Sequence, residues 1–323
     1  MKKWIANLEK ISFKKSKYSQ YYQADLLEYI FDNLEVNNNE APMCVEFGYN
    51  SQFISPHANT TSLILDQGWK NIYFDGSYEN KDINLYKEFL TTKNIKKIFH
   101  KYNIKTDIEY ISIDVDSTDL WLFNELLSEF RPKVYSVEYN PNFPIDVAIT
   151  LVNNSSHFFE NDKAYGASLK ALNIVAKKNN YSLLWVVPTL DAFFIRNDLI
   201  EDGTTKIVYP FSKWKKVTNI PVHPPTNNKN RLNNLIDYEF YLNNNEDIKL
   251  AKMSGKKVVK KYISKRGNIK TKYIYLKIKL SNIIRLFLVS NKVKKFKLIH
   301  KVFQKLFIIT SPFPYDLDIH KLR

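Results

Sequence analysis

Along the first 200 residues, apolar positions switch repeatedly between a three-or-four spacing and short unbroken runs. Leu26, Leu27, Ile30, Phe31 and Leu34 recur at helical spacing within residues 18–34, which predicts an amphipathic helix. The polar stretch Asn37 to Glu40 and then Pro42 end it, and Met43-Cys-Val-Glu-Phe47 is an apolar run stopped by Gly48, the pattern of a buried strand. A helix over 57–67 is broken by Gly68, and a second strand over 71–75 and a lysine-rich helix follow. Residues 95–100 predict a third strand, 108–114 a fourth and 133–138 a fifth, with a helix over 120–130 broken by Pro132. A loop-like stretch, 139–164, precedes a helix over 167–178 and strands over 181–187 and 191–196. Only Pro188 to Leu190 separate those last two strands, so they can pair antiparallel at a sheet edge. Strands alternating with helices at this spacing predict an α/β fold, a doubly wound, mostly parallel sheet with helices on both faces.

With 323 residues, 44% of them hydrophobic and 15% aromatic, the chain can bury a sizeable core. The single cysteine, Cys44, excludes a disulfide framework or a cysteine zinc site within one chain and reads as a buried strand residue. The N-terminus reaches Asn7, Glu9 and Lys10 before any long apolar stretch, and nowhere do 18 apolar residues run uninterrupted. A cytoplasmic protein without a transmembrane helix is the expectation.

The net charge of +15 is distributed unevenly, because residues 249–323 hold 21 Lys and Arg against Asp316 and Asp318 alone. The first 248 residues are slightly acidic. This divides the chain into a helical lead-in (1–40), an α/β domain (41–205), an irregular linker (206–248) and a basic, amphipathic, mostly helical C-terminal extension (249–323). Pro210, Pro221, Pro224, Pro225 and Asn-rich stretches mark the linker. In the extension, Val293, Phe296, Ile299, Phe303, Leu306 and Phe307 recur at helical spacing, flanked by Lys294, Lys295, Lys297, Lys301 and Lys305. That pattern predicts reversible association with an anionic membrane surface, peripheral to its inner face; nucleic acid is the lesser alternative, and packing against the α/β domain the structural one.

In an open parallel sheet, ligands bind outside the carboxyl ends of the strands. Here those ends are acidic: Glu46 with Gly48, Asp75 with Gly76, Asp114 with Asp116 and Asp119, then Glu138. A glycine after the first strand lets backbone approach a ligand, and an acid ending the second can accept hydrogen bonds from ribose hydroxyls. Asp114 and Asp116, two residues apart, are expected on one side, where they repel unless a hard cation such as Mg²⁺ joins them and Asp119 as ligands. Asp119 equally suits capping the helix that follows. Asp114, Asp116 and Glu138 are the candidates for a base in the chemical step; His57, His100 and His157 are alternatives.

Val45-Glu46-Phe47-Gly48, Phe74-Asp75-Gly76, Ile111-Ser-Ile-Asp114-Val-Asp116-Ser-Thr-Asp119, Val137-Glu138-Tyr139-Asn140, Tyr165-Gly166-Ala167-Ser168-Leu169 and Phe193-Phe-Ile-Arg196-Asn197-Asp198 occur in an order that resembles FkbM-like class I methyltransferases. The resemblance covers roughly residues 18–200. It implies a seven-stranded sheet, S-adenosyl-L-methionine as methyl donor and a sugar or other small-molecule hydroxyl as acceptor, as in surface glycan synthesis. It also implies that Glu46 and Gly48 line the methionine end of the cofactor, that Asp75, beside Gly76, holds the ribose, and that Asp114 lies at the reacting centre. The chain departs from the family pattern at Tyr49-Asn50-Ser51-Gln52, where an acid and a second glycine are usual, and at Ser117-Thr118, where Gly-Asn is usual. Two other readings stand beside it: a glycosyltransferase using Asp114-Val-Asp116 to hold a metal, and an inactive methyltransferase-like protein acting through its basic tail.

Overall fold

The computed structural model describes residues 3–13, 17–34, 40–154, 159–160, 162–200, 209–226 and 228–264. Its strands are β1 (Met43–Phe47), β2 (Lys70–Asp75), β3 (Leu85–Lys87), β4 (Tyr110–Ile113), β5 (Val134–Glu138), β6 (Ile149–Leu151), β7 (Tyr181–Val186), β8 (Asp191–Arg196) and β9 (Leu235–Asp237). The α-helices are α1 (Lys3–Leu8), α2 (Gln23–Asp32), α3 (Thr61–Leu65), α4 (Ile95–Lys101), α5 (Asp119–Leu127), α6 (Leu169–Lys178), α7 (Lys229–Leu232), α8 (Tyr238–Asn243) and α9 (Ile248–Val259).

Seven strands form one sheet in the order β3-β2-β1-β4-β5-β8-β7. All neighbours pair in parallel except β8, which runs antiparallel to both β5 and β7. The closely spaced β7 and β8 thus make the antiparallel edge that their short connection permits. Because successive strand side chains point to opposite faces, Val45, Phe47, Ile111 and Ile113 enter one buried cluster with α4, α5 and α6. Cys44, Tyr110, Phe193 and Ile195 enter the other, with α1, α2 and Leu63 of α3.

The structure corrects two of the expected elements. Residues 95–100 are helical, not a strand: Ile95, Ile98 and Phe99 are the buried positions of α4, a three-and-four spacing that a six-residue window read as a continuous run. The third strand is β3, where a lysine-rich helix was expected. It has three residues, buries only Leu85 fully and pairs along the edge with β2, too little to leave a periodic signature. The helix over 57–67 contracts to α3, and the N–H groups of Asn59 and Thr60 just before it are taken by Glu46.

Within the loop-like 139–164, β6 pairs antiparallel with β9 of the expected linker, giving a second, two-stranded sheet. The end of the acidic stretch at Asp247 does not mark the end of the folded part. Asp247 caps α9 by accepting from the Leu250 N–H at 3.0 Å, and Ala251, Gly255 and Val259 of that helix are buried. Gly255 lets α9 lie against β9: a Cβ there would stand 3.0 Å from the Asp237 nitrogen. Val259 and Ile263 complete an apolar cluster with Phe143, Ile149, Leu151, Ala164 and Leu235. The amphipathic stretch 293–307 lies outside the described residues. Among the described residues no helix is long and apolar enough to cross a membrane.

Candidate functional site

Strand order reverses between β1 and β4, and the acids lie at the carboxyl ends on either side of that point. Asp114 follows β4, Glu138 ends β5, and Asp116 stands in the left-handed region at φ 56°, a conformation that costs a side-chain-bearing residue energy. Each of Asp114, Asp116 and Glu138 places an oxygen within 4.8 Å of the others. Burial pushes all three carboxyls above their ordinary range, and the charge of Asp116 raises Asp114 further, while those of Asp114 and Asp116 raise Glu138. A hydrogen bond between Asp116 and Glu138 opposes the rise at Asp116, and two carboxyl groups can share such a bond only when one is protonated. Oε2 of Glu138 is buried without a hydrogen-bond partner. Three half-buried acids gathered in this way, one with an oxygen that has no partner, will hold either protons or a divalent cation.

Asp119 is not part of this group. Its Oδ1 accepts from the Val115 N–H at 2.7 Å and its Oδ2 from the Ser117 N–H at 2.9 Å, so it ties down the loop that bears Asp114 and Asp116. Burial, against these two bonds, pushes its carboxyl up to about 7. Expected as a third ligand or as a cap for the following helix, Asp119 does neither: it satisfies the backbone preceding α5. The third carboxylate is Glu138, on the neighbouring strand.

Glu46 also turns to the protein. Its two oxygens accept from the Asn59 N–H at 3.1 Å, the Thr60 N–H at 3.2 Å and the Thr60 hydroxyl. Burial raises its carboxyl, and those bonds oppose the rise. Gly48, at φ 79°, is required by a neighbouring strand: a Cβ there would be 2.6 Å from the carbonyl carbon of Asp114 and closer still to its oxygen. The close approach that this glycine permits is therefore to backbone. Gly76 is likewise crowded, its Cβ position lying 3.1 Å from the Phe89 ring.

Asp75 receives three backbone N–H groups, from Ser77 at 2.7 Å and Tyr78 at 3.1 Å on Oδ1 and from Asn50 at 2.7 Å on Oδ2. It fastens the loop after β1 to the loop after β2. Within the departing stretch 49–52, Tyr49 stacks on Tyr73 at 4.0 Å between centroids and its hydroxyl accepts from the Ser55 N–H. Phe53, Tyr78 and Phe89 project from the loops leaving β1, β2 and β3 and are exposed.

One buried acid at this end escaped notice in the sequence. Asp191 faces Glu138 across the antiparallel β5–β8 ladder and accepts from the side-chain amides of Gln23 and Asn59, each at 3.2 Å. Asn59 also donates to Ser112, which is linked through Ser136 to Tyr110. The signal was available: an acid that opens an antiparallel strand lies at the same end as acids that close parallel ones. Gln23 and Asn59, on α2 and before α3, carried none.

Neither His57 nor His100 joins the cluster. His57 is exposed, His100 is exposed and paired with Glu129 of the region after α5, and His157 lies outside the described residues. No protein-family model, curated protein or solved structure matches this chain.

Proposed function

We propose that this chain is an S-adenosyl-L-methionine-dependent methyltransferase with a Rossmann-like, doubly wound sheet, acting on a hydroxyl of a sugar or other small molecule with a divalent cation such as Mg²⁺ at the acceptor. The observation that carries the reading is the strand order β3-β2-β1-β4-β5-β8-β7, with β8 antiparallel and the acids gathered where the order reverses. Oδ2 of Asp75 has one N–H partner and retains capacity for one ribose hydroxyl, and the exposed Phe53, Tyr78 and Phe89 offer apolar surface to a nucleobase. Asp114, Asp116 and Glu138 would hold the cation through oxygens, the donor type that Mg²⁺ takes. The cofactor would supply the activated methyl group and the cation would acidify the acceptor hydroxyl. The acids themselves would fix the acceptor's position, and one of them would take its proton. Gly48 and Glu46 contribute by holding this frame in place.

Calorimetric titration tests the proposal. S-adenosylhomocysteine should bind wild-type protein without added metal and bind Asp75→Ala at least tenfold more weakly, the loss of one or more charge-assisted bonds of about 1.5 kcal/mol or more. The pair Asp114-Val-Asp116 also suits a metal-dependent glycosyltransferase. A nucleoside diphosphate sugar that bound only with Mg²⁺ or Mn²⁺, with no binding of S-adenosylhomocysteine, would replace the first reading with the second.

A further inference from the structure

The outer face of α9 combines exposed lysines with large exposed apolar side chains. Its inner face, Ala251, Gly255 and Val259, is buried against β9. Its outer face carries Lys249, Lys256 and Lys257, all exposed, around Met253, which is 65% exposed, and Leu250, which is 42% exposed. Residues three, four and seven apart share a side of a helix, so the lysines and Met253 form one surface. The ion pairs of the described residues include none of these three lysines. Of the acids beside α9, Asp247 is engaged as the cap and Asp237 accepts from the Ser254 hydroxyl at 2.9 Å.

We infer that this face of α9 is a docking surface for an anionic lipid bilayer. A cationic helix face with large apolar side chains set among its lysines gains twice at a membrane, from immersion of Met253 and Leu250 and from the acidic headgroups around them. A nucleic-acid surface would call for arginine forks or stacking aromatic rings, and this face has neither. The sequence that follows has the same sign, since residues 265–323 carry 15 basic against 2 acidic side chains. Because β9 and β6 fix α9 against the main fold, the docking face is held rigidly and would orient the whole protein on the lipid. The inference is independent of the methyltransferase reading.

Sedimentation of the full chain with phosphatidylcholine vesicles, with and without phosphatidylglycerol, tests it. Wild type should partition onto the anionic vesicles and not the neutral ones. Lys256→Ala with Lys257→Ala should lower the partition coefficient about thirtyfold, the equivalent of about 1 kcal/mol per cation near the surface. As a second reading, Met253→Cys labelled with an environment-sensitive dye should shift to the blue on the anionic vesicles; Cys44 is fully buried and does not compete for label. Partition unchanged in the double variant, no blue shift at position 253, no binding by wild type, or displacement of the protein from vesicles by an RNA homopolymer at lower concentration than the lipid would each overturn the inference.

Discussion

Adding a single methyl group at Gly48 separates two explanations of that residue. If the glycine serves a ligand, Gly48→Ala leaves the fold intact and lowers affinity alone. The structure requires otherwise, because the added Cβ falls within the carbonyl group of Asp114 and the φ of 79° disfavours any side chain. The left-handed conformation costs alanine about 1–2 kcal/mol, and forcing a packed backbone neighbour aside costs about 1–3 kcal/mol more. The displaced groups belong to the ladder itself: Gly48 donates to the Phe74 carbonyl and Asp114 to that of Phe47. Gly68 supplies the control, since its φ is 71° and nothing lies within 4 Å of its Cβ position. In urea denaturation, Gly68→Ala should show the conformational cost alone and Gly48→Ala about 2–5 kcal/mol, with similar m-values. Equal stability losses in the two variants would refute the argument that Gly48 is held by its neighbour.

The raised acids predict a pH profile with a definite sign. Asp119 has a folded pKa of about 7 against roughly 3.9 in an unfolded chain, so the unfolded state loses its proton first and stability falls as pH rises from about 4 towards 7. Asp114 and Glu138, raised by burial and by their neighbours, act in the same direction. Mg²⁺ should raise the melting temperature, and by less as the pH is lowered and protons compete for the acids; insensitivity to Mg²⁺ throughout would remove the metal from the proposal. Gly255→Val should prise α9 from β9 and lower stability by about 1–3 kcal/mol, and unchanged urea unfolding would show that the helix is only loosely apposed.

The elements legible in the sequence are those whose burial pattern is complete within them. Met43–Phe47 and Val134–Glu138 are buried along nearly their whole length, so a plain apolar run identified each. Leu85–Lys87 is an edge strand defined by its neighbour, and β6 and β9 acquire meaning only through each other, across a separation that no local window spans. The acids followed the same division. Asp114, Asp116 and Glu138 were found because they stand at strand ends, and the structure brings them together. Glu46 and Asp75 were found for the same reason, but their oxygens meet the N–H groups of loops whose course the sequence does not reveal. For Asp119 the sequence left a metal ligand and a helix cap open, because the left-handed turn at Asp116 that directs the loop's N–H groups to it has no local signature.

The β6–β9 ladder also sets an order of events during synthesis. β6 follows Glu138 closely, whereas its ladder partner is encoded at 235–237, after the whole seven-stranded sheet. A chain emerging from the ribosome therefore has β1 to β8 and all the clustered carboxylates in hand, and β6 already bridged to residues 166–168, before the β9 side of β6 can be paired. Val152 donates to the carbonyl of Asn234, and Tyr238 to that of Ala148, so the same late arrivals also secure both ends of β6. The outer edge of β6, in the segment that follows Glu138, is thus covered late, and α9, which packs against β9, arrives only after that closure begins.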